Sequence, residues 1–239
     1  DEDRLTECRV GAVVLATGFD LFDPAKAPQY GYGKISDVYT SLEFERLVNA
    51  SGPTQGKIAL KNGRTPQRIA FVHCVGSRTK RFYPHCSSVC CMYIGKFIHQ
   101  VLQKLPGVSI CTFFSDLCLP GKEGQGFFDT VSKEGDLTLT RLQASDSVEI
   151  HKEGEQLTIG YTDVGGRTGT VVEDMVVLAP AMIGATDADA VARVFGVCRD
   201  GGGFFVEDRA TLASVSTATE GIFIAGCAQG PKDIQGAVA

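Results

Sequence analysis

The sequence contains no G-x-G-x-x-G turn, no repeat, no low-complexity tract and no surplus of basic residues. Nor does any apolar run reach the about 18 residues that a membrane-spanning helix needs. Each absence removes a class of function. A net charge of -5 and a pI near 5.4 leave no electrostatic footprint for nucleic acid or an acidic membrane surface as a direct partner. Without a spanning run or a signal-peptide pattern, a cytoplasmic protein is expected. Without the Gly-rich turn, the usual cradle for a dinucleotide pyrophosphate is missing from this stretch of chain.

What is present is cysteine, nine in 239 residues. An odd count with one adjacent pair is a poor match to a secreted disulfide framework and points to metal or redox chemistry in a reducing compartment. Four of the nine lie in Cys74-Val-Gly-Ser-Arg-Thr-Lys-Arg-Phe-Tyr-Pro-His-Cys86-Ser-Ser-Val-Cys90-Cys91, spaced C-x11-C-x3-C-C. An apolar run, Ile69-Ala-Phe-Val, precedes this stretch, and an amphipathic segment with Ile94, Phe97, Ile98, Val101 and Leu102 at helical spacing follows it. The pattern predicts a buried strand over 68–73, a loop, and a helix over about 87–104. A strand, loop and helix N-terminus in that order form the place where open α/β sheets bind ligands.

Soft thiolates favour an iron-sulfur cluster or zinc over hard cations, and four cysteines match the need of a [4Fe-4S] cluster. Cys86 and Cys90 are expected on one face of the helix, with Cys91 brought in by a loosened first turn. Free N–H groups at the helix start, with Arg78, Lys80 and Arg81, would favour thiolates. A zinc site recruiting His73 or His85, a redox-active Cys90–Cys91 pair, and simple packing of buried cysteines remain open from spacing alone. Cys8, Cys111, Cys118 and Cys198 have no usable spacing and are expected to pack.

Elsewhere, Arg9–Ala16 reads as a buried strand, Thr40-Ser-Leu-Glu43 as a capping box opening a short helix, and 108–114 as a strand closing a β-α-β unit. A helix over about 125–134 and a strand near 137–142 follow. Three alternating segments near 148–150, 157–161 and 169–172, separated by turns, form an antiparallel meander. Buried strands at 175–179 and within 221–226 flank a helix over 187–195. The chain starts on Asp1 without Met, just before an apolar strand, and stops at Gln235-Gly-Ala-Val-Ala in a starting helix, so a piece of a longer protein is expected.

Leu15-Ala16-Thr17-Gly18 and Ile222-Phe-Ile-Ala-Gly226-Cys227 each run a strand into a Gly turn, with a β-α-β domain and a meander between them. That is the order of a two-domain flavoprotein of the thioredoxin reductase type. More specifically, Val14-Leu-Ala-Thr-Gly-Phe-Asp20, Ser41-Leu-Glu-Phe-Glu-Arg46, Cys74-Val-Gly-Ser-Arg78, Cys86-Ser-Ser-Val-Cys-Cys-Met92 and Ala225-Gly-Cys-Ala-Gln-Gly-Pro-Lys-Asp-Ile234 resemble the A subunit of heterodisulfide reductase and its relatives in quinone-interacting complexes. The resemblance covers essentially the whole chain.

It implies an α/β, Rossmann-like three-layer domain of the thioredoxin reductase type with a β-meander, plus parts of a split FAD-binding domain. The implied segments are 1–60 for the end of the first FAD-domain half and the crossover, 61–175 for an inserted domain carrying the cysteines, and 176–239 for a truncated second half. It further implies an oxidoreductase subunit relaying electrons between FAD and clusters of partner subunits, with Cys74, Cys86, Cys90 and Cys91 as [4Fe-4S] ligands. Ala16, Thr17, Gly18, Gly226, Cys227, Gly230, Lys232 and Asp233 would lie at FAD, Cys227 standing where flavoproteins of the thioredoxin reductase type present a ribityl-binding Asp. This chain has one more residue between its first two motif cysteines than the family's C-x10-C-x3-C-C. Because the N-terminal pyrophosphate turn is lacking, weak or no FAD binding by this stretch alone is expected, and the isolated piece is expected to be inactive.

Overall fold

The computed structural model describes residues 4, 6–210, 212 and 214–238. The chain divides into two compact units, one formed by residues 1–20 and 183–239 and the other by 21–182. In chain order the elements are β1 (Val13–Leu15), β2 (Phe19–Leu21), β3 (Val38–Thr40), α1 (Ser41–Val48), β4 (Arg68–Val75), α2 (Cys90–Lys104), β5 (Ser109–Phe114), α3 (Gly121–Val131) and β6 (Asp136–Arg141). Then come β7 (Val148–Glu153), β8 (Gln156–Thr162), β9 (Thr168–Glu173), β10 (Met175–Pro180), β11 (Met182–Gly184), α4 (Ala188–Phe195), β12 (Ile222–Ile224) and α5 (Ile234–Val238). No helix among the described residues is long and apolar enough to cross a membrane.

The larger unit is built on a five-stranded sheet ordered β3-β10-β4-β5-β6, every neighbouring pair parallel. From β4 the chain winds outward through α2 and β5 to β6, then returns through the meander to place β10 on the other side of β4. The direction of winding therefore reverses at β4, and the crevice beyond its carboxyl end is the natural ligand position of such a sheet. β4 and β10 read as continuous apolar runs because neighbours and helices cover both of their faces. β3 and α1 belong to this unit because Val38–Thr40 pair with Val176–Leu178 and Phe44 packs edge-on to Phe71 and Phe97, at ring-centroid distances of 5.7 and 5.3 Å.

The antiparallel meander β7-β8-β9 forms as expected, and so does the capping box, with Glu43 N–H donating to Thr40 Oγ1 at 3.3 Å and Thr40 N–H to Glu43 Oε2 at 2.7 Å. In the smaller unit β1 and β12 pair in parallel, Val13–Leu15 against Ile222–Ile224, over a core of Leu15, Ala188, Ala192, Phe205 and Ile224.

Several boundaries differ from the sequence expectation. β1 is limited to three residues because its partner β12 is only three long. α3 starts at Gly121, directly after Pro120, which stands at the N-cap in the extended conformation usual there (φ -69, ψ 156). α2 starts at Cys90 rather than near Ser87: Ser88 holds φ +60, a left-handed conformation that an α-helix does not admit. Cys86 therefore lies in the loop, and the expectation that it shares a helix face with Cys90 is corrected.

Candidate functional site

β4 ends by bending. Its register to β10 slips between Leu178 and Pro180, and Cys74 takes φ +58, a region few residues other than glycine occupy. Gly76 follows at φ +80, Arg78 at +55 and Ser88 at +60, so unusual backbone clusters in this one loop. Loop 76–85 folds on itself through Tyr83 N–H to Gly76 O (3.1 Å) and Arg78 N–H to His85 O (3.1 Å). It is held from below by the Phe22 ring, 4.7 Å from that of Phe82; a Cβ on Gly76 would stand 2.4 Å from Phe22 Cδ1. Ser87 Oγ accepts from Met182 N–H at 2.9 Å and His85 Nε2 donates to Met182 O at 2.8 Å, tying the loop's far end to the chain just after β10.

This bending gathers thiols. Cys74, Cys90 and Cys91 are each only 2% exposed, while Cys86 and Cys118 are half-buried. Burial pushes the Cys91 thiol up to about 12, opposed by a Cys118 N–H donated to Cys91 Sγ at 3.4 Å; Cys74, Cys86 and Cys118 all act on it as neighbouring sulfurs. Burial raises Cys90 as well, with Cys74, Cys91 and Cys86 adding to the shift. Cys74 is raised by burial and Cys86, against a Ser115 N–H and the Arg78 guanidinium. Cys118 is raised by burial and by the facing Cys86 thiol.

The four cysteines singled out by spacing thus lie near enough to act on one another electrostatically. Cys118 joins them, although its spacing offered no reason to expect more than packing. The signal was topological: Cys118 follows β5, the parallel neighbour of β4, so it leaves the sheet at the same edge. Cys111 packs in β5 as expected, whereas Cys8 and Cys198 are exposed instead of packed. Cys198 directly follows the inward-facing Val197 and points the other way.

The polar surroundings suit a group bound by thiolates. Ser88 N–H donates to Cys86 Sγ at 3.3 Å, so backbone donors already point at motif sulfurs. The buried hydroxyls Ser77 Oγ and Ser115 Oγ make no hydrogen bond, although Ser77 is near enough to Cys74 to favour its thiolate. Buried polar atoms normally find partners, so two orphans at one site point to a further group there. A coordinating thiol is deprotonated outright, which removes the conflict between burial and charge.

His73 is wholly buried and held neutral, its pKa pushed down to about 3 by desolvation. It spans Thr112 Oγ1 (2.7 Å) and Cys91 Sγ (3.6 Å), which orients Cys91. Asp116 is clamped by Arg78 and Arg141, both at 2.5 Å. Arg81 lies over the Phe82 ring at 5.1 Å instead. Among the described residues no group of three or more His, Cys, Asp or Glu side chains is already arranged to hold a metal ion. Four soft thiols with two unpartnered hydroxyls beside them are, by their chemistry, a donor set suited to an iron-sulfur group.

The residues expected at FAD form a second cluster, in the smaller unit. Because β1 and β12 are parallel and in register, Ala16, Thr17 and Gly18 leave the sheet beside Gly226 and Cys227, with Ala225 N–H donating to Leu15 O at 3.0 Å. Gly18 has φ +76, and Gly18 and Gly230 have nothing within 4 Å of where a Cβ would stand. Cys227 Sγ donates to Lys232 O at 3.5 Å, and Lys232 Nζ to Gln229 Oε1 at 2.6 Å. Asp233 Oδ1 accepts from Gly236 N–H at 2.7 Å, starting α5. Gly18 and Gly230 thus leave the backbone open on this side of the smaller unit.

The parallel sheet, its meander and the paired strand ends are those of a thioredoxin reductase-like fold. Thioredoxin reductase from Lactococcus lactis superposes with a TM-score of 0.55 over 95% of this chain and 61% of that one, at 16% identity. Sulfide:quinone oxidoreductase from Aquifex aeolicus gives 0.51 over 92% of this chain and 46% of that one, at 11% identity. At the level of sequence the chain is homologous, over its whole length, to the A subunits of heterodisulfide reductase. It is 40% identical over all of its length to an iron-sulfur A subunit of the CoB–CoM heterodisulfide reductase of Methanopyrus kandleri, covering 37% of that protein. It is 37% identical to the A subunit of the H2:CoB-CoM heterodisulfide, ferredoxin reductase of Methanothermobacter marburgensis, covering 36%. A protein of Archaeoglobus profundus that is itself described as like the heterodisulfide reductase A subunit is 35% identical, again with 36% covered. The chain thus spans a little over a third of the length of these relatives. No family model matches it.

Proposed function

We propose that this chain is an electron-transfer segment of an FAD- and iron-sulfur-containing oxidoreductase subunit of the heterodisulfide reductase A type, in which Cys74, Cys86, Cys90 and Cys91 hold a [4Fe-4S] cluster. The observation that carries the proposal is the mutual proximity of these thiols, with two orphaned hydroxyls, where the winding of the sheet reverses. Dinucleotide-binding sheets put a Gly-rich pyrophosphate turn at that position. Cysteines there suit a one-electron relay in place of a hydride site. Bound there, a [4Fe-4S] cluster supplies one-electron transfer at a potential set by burial and by hydrogen bonds to its sulfurs. The protein's part is to exclude water through the Phe22–Phe82 packing, to aim the Ser88, Ser115 and Cys118 N–H groups at sulfur, and to fix Cys91 through neutral His73.

In the same reading the unit of residues 1–20 and 183–239 supplies two pieces of a flavin domain and the unit of 21–182 is the inserted cluster domain. Ala16, Thr17, Gly18, Gly226, Cys227, Gly230, Lys232 and Asp233 then face FAD in the intact protein. The partners are the other subunits of a heterodisulfide reductase-like complex, as the names of the relatives suggest, or of a quinone-interacting one, as the sequence resemblance implies. Nine free cysteines suit a reducing, cytoplasmic setting.

The test is iron, zinc and acid-labile sulfide content with a visible spectrum, on anaerobically purified wild type and Cys90→Ala. About four iron and four sulfide per chain, absorbing broadly near 400 nm and lost in the variant, is the expected result. One zinc without sulfide would sink the electron-relay reading.

A further inference from the structure

The spacing motif names four thiols, but five meet. Three of them have fixed positions: Cys74 ends β4, and Cys90 and Cys91 begin α2, all nearly inaccessible. The other two, Cys86 and Cys118, are both half-buried, both on loops, and near each other, Cys118 being held against Cys91 by its N–H. Cys118 is not an incidental neighbour, because its own N–H is bonded to Cys91 Sγ at 3.4 Å. That bond anchors the backbone from which its thiol projects. The Ser77 hydroxyl, fully buried, near Cys74 and without a hydrogen bond, independently points to a further group among these thiols.

We propose, resting on the cluster reading above, that Cys118 is a facultative ligand of that cluster, able to occupy the corner assigned to Cys86. In the exchange Cys118 loses its proton to solvent and its thiolate binds the iron that Cys86 vacates; Cys86 takes up a proton, and no electron moves. Both loops are free of the helix and the sheet ladder, so the exchange asks for loop movement only. By contrast, Cys74, Cys90 and Cys91 have no such substitute.

The experiment compares anaerobically purified wild type, Cys90→Ala, Cys86→Ala, Cys118→Ala and Cys86→Ala/Cys118→Ala. Iron and sulfide are measured, together with alkylation of each cysteine by iodoacetamide followed by peptide mass spectrometry. Cys86→Ser, which keeps the size and polarity of that side chain, is run alongside in case the alanine variant fails to fold. Expected are wild-type iron in Cys86→Ala and in Cys118→Ala and at least a tenfold loss in the double variant. In Cys86→Ala, Cys118 becomes protected from alkylation, and the EPR spectrum of the reduced protein shifts. Loss of iron in Cys86→Ala and Cys86→Ser, or a retained cluster with Cys118 still fully alkylated, would overturn this inference while leaving the cluster reading intact. Wild type without iron would overturn both.

Discussion

Glu173 shows how much one side chain is governed by surroundings its sequence neighbours do not announce. It ends β9 only 5% exposed, and its Oε2 has no hydrogen-bond partner. Burial pushes its pKa up to about 8; nearby Asp174 adds to the shift and Arg68, which is paired with Asp174 at 2.9 Å, opposes it. The folded protein therefore holds a proton between about pH 4.5 and 8 that the unfolded chain has released, so this residue costs stability increasingly as pH rises through that window. Urea unfolding should show Glu173→Gln more stable than wild type at pH 8, on the order of 1–3 kcal/mol, with the difference shrinking toward about pH 5. An equal difference at both pH values would refute the buried carboxyl. His73 is the complementary case: the same burial keeps an imidazole neutral beside Cys91, where a charged ring would be costly.

Among the elements, α2 links core and site. Its first turn supplies Cys90 and Cys91, and one turn further Ile94, Phe97, Ile98 and Val101 pack against β4 and β5. Phe97 is 2% exposed and meets Phe44 and Tyr93 at centroid distances of 5.3 and 5.7 Å. Phe97→Ala should cost about 3–5 kcal/mol by denaturant titration. Because α2 carries two proposed ligands, the variant should also lower the iron recovered per chain. A cost under about 1 kcal/mol would mean that the helix does not rest on the sheet as described. The helical spacing made the packed face legible in advance. Its start was not, since the left-handed turn at Ser88 answers to the loop around the thiols and not to any helix-breaking residue.

For the molecule as a whole, the absence of tryptophan and the placing of all six tyrosines between residues 30 and 161 give a selective probe. Every tyrosine lies in the unit of 21–182, so tyrosine fluorescence follows that unit alone. A ligand held only by the folded state stabilises it by mass action. Stripping the proposed cluster with an anaerobic chelator should lower the tyrosine-monitored midpoint by several degrees; an unchanged midpoint would show that the thiols hold nothing that matters to folding.

The features legible in the sequence were local or periodic: the buried runs of β4 and β10, the packed face of α2, the Thr40–Glu43 cap, the meander and the C-x11-C-x3-C-C loop. These depend on neighbours within a few residues, where spacing fixes which side chains share a face or a turn. The relations between distant segments came from the folded chain alone. The β3-β10-β4-β5-β6 order brings Cys118 beside Cys86 across a span of chain with no periodic relation between them, and it buries His73 against Thr112 of β5. Register between distant strands is set by the packing of the whole sheet, and no local pattern encodes where a loop after one strand meets a loop after another.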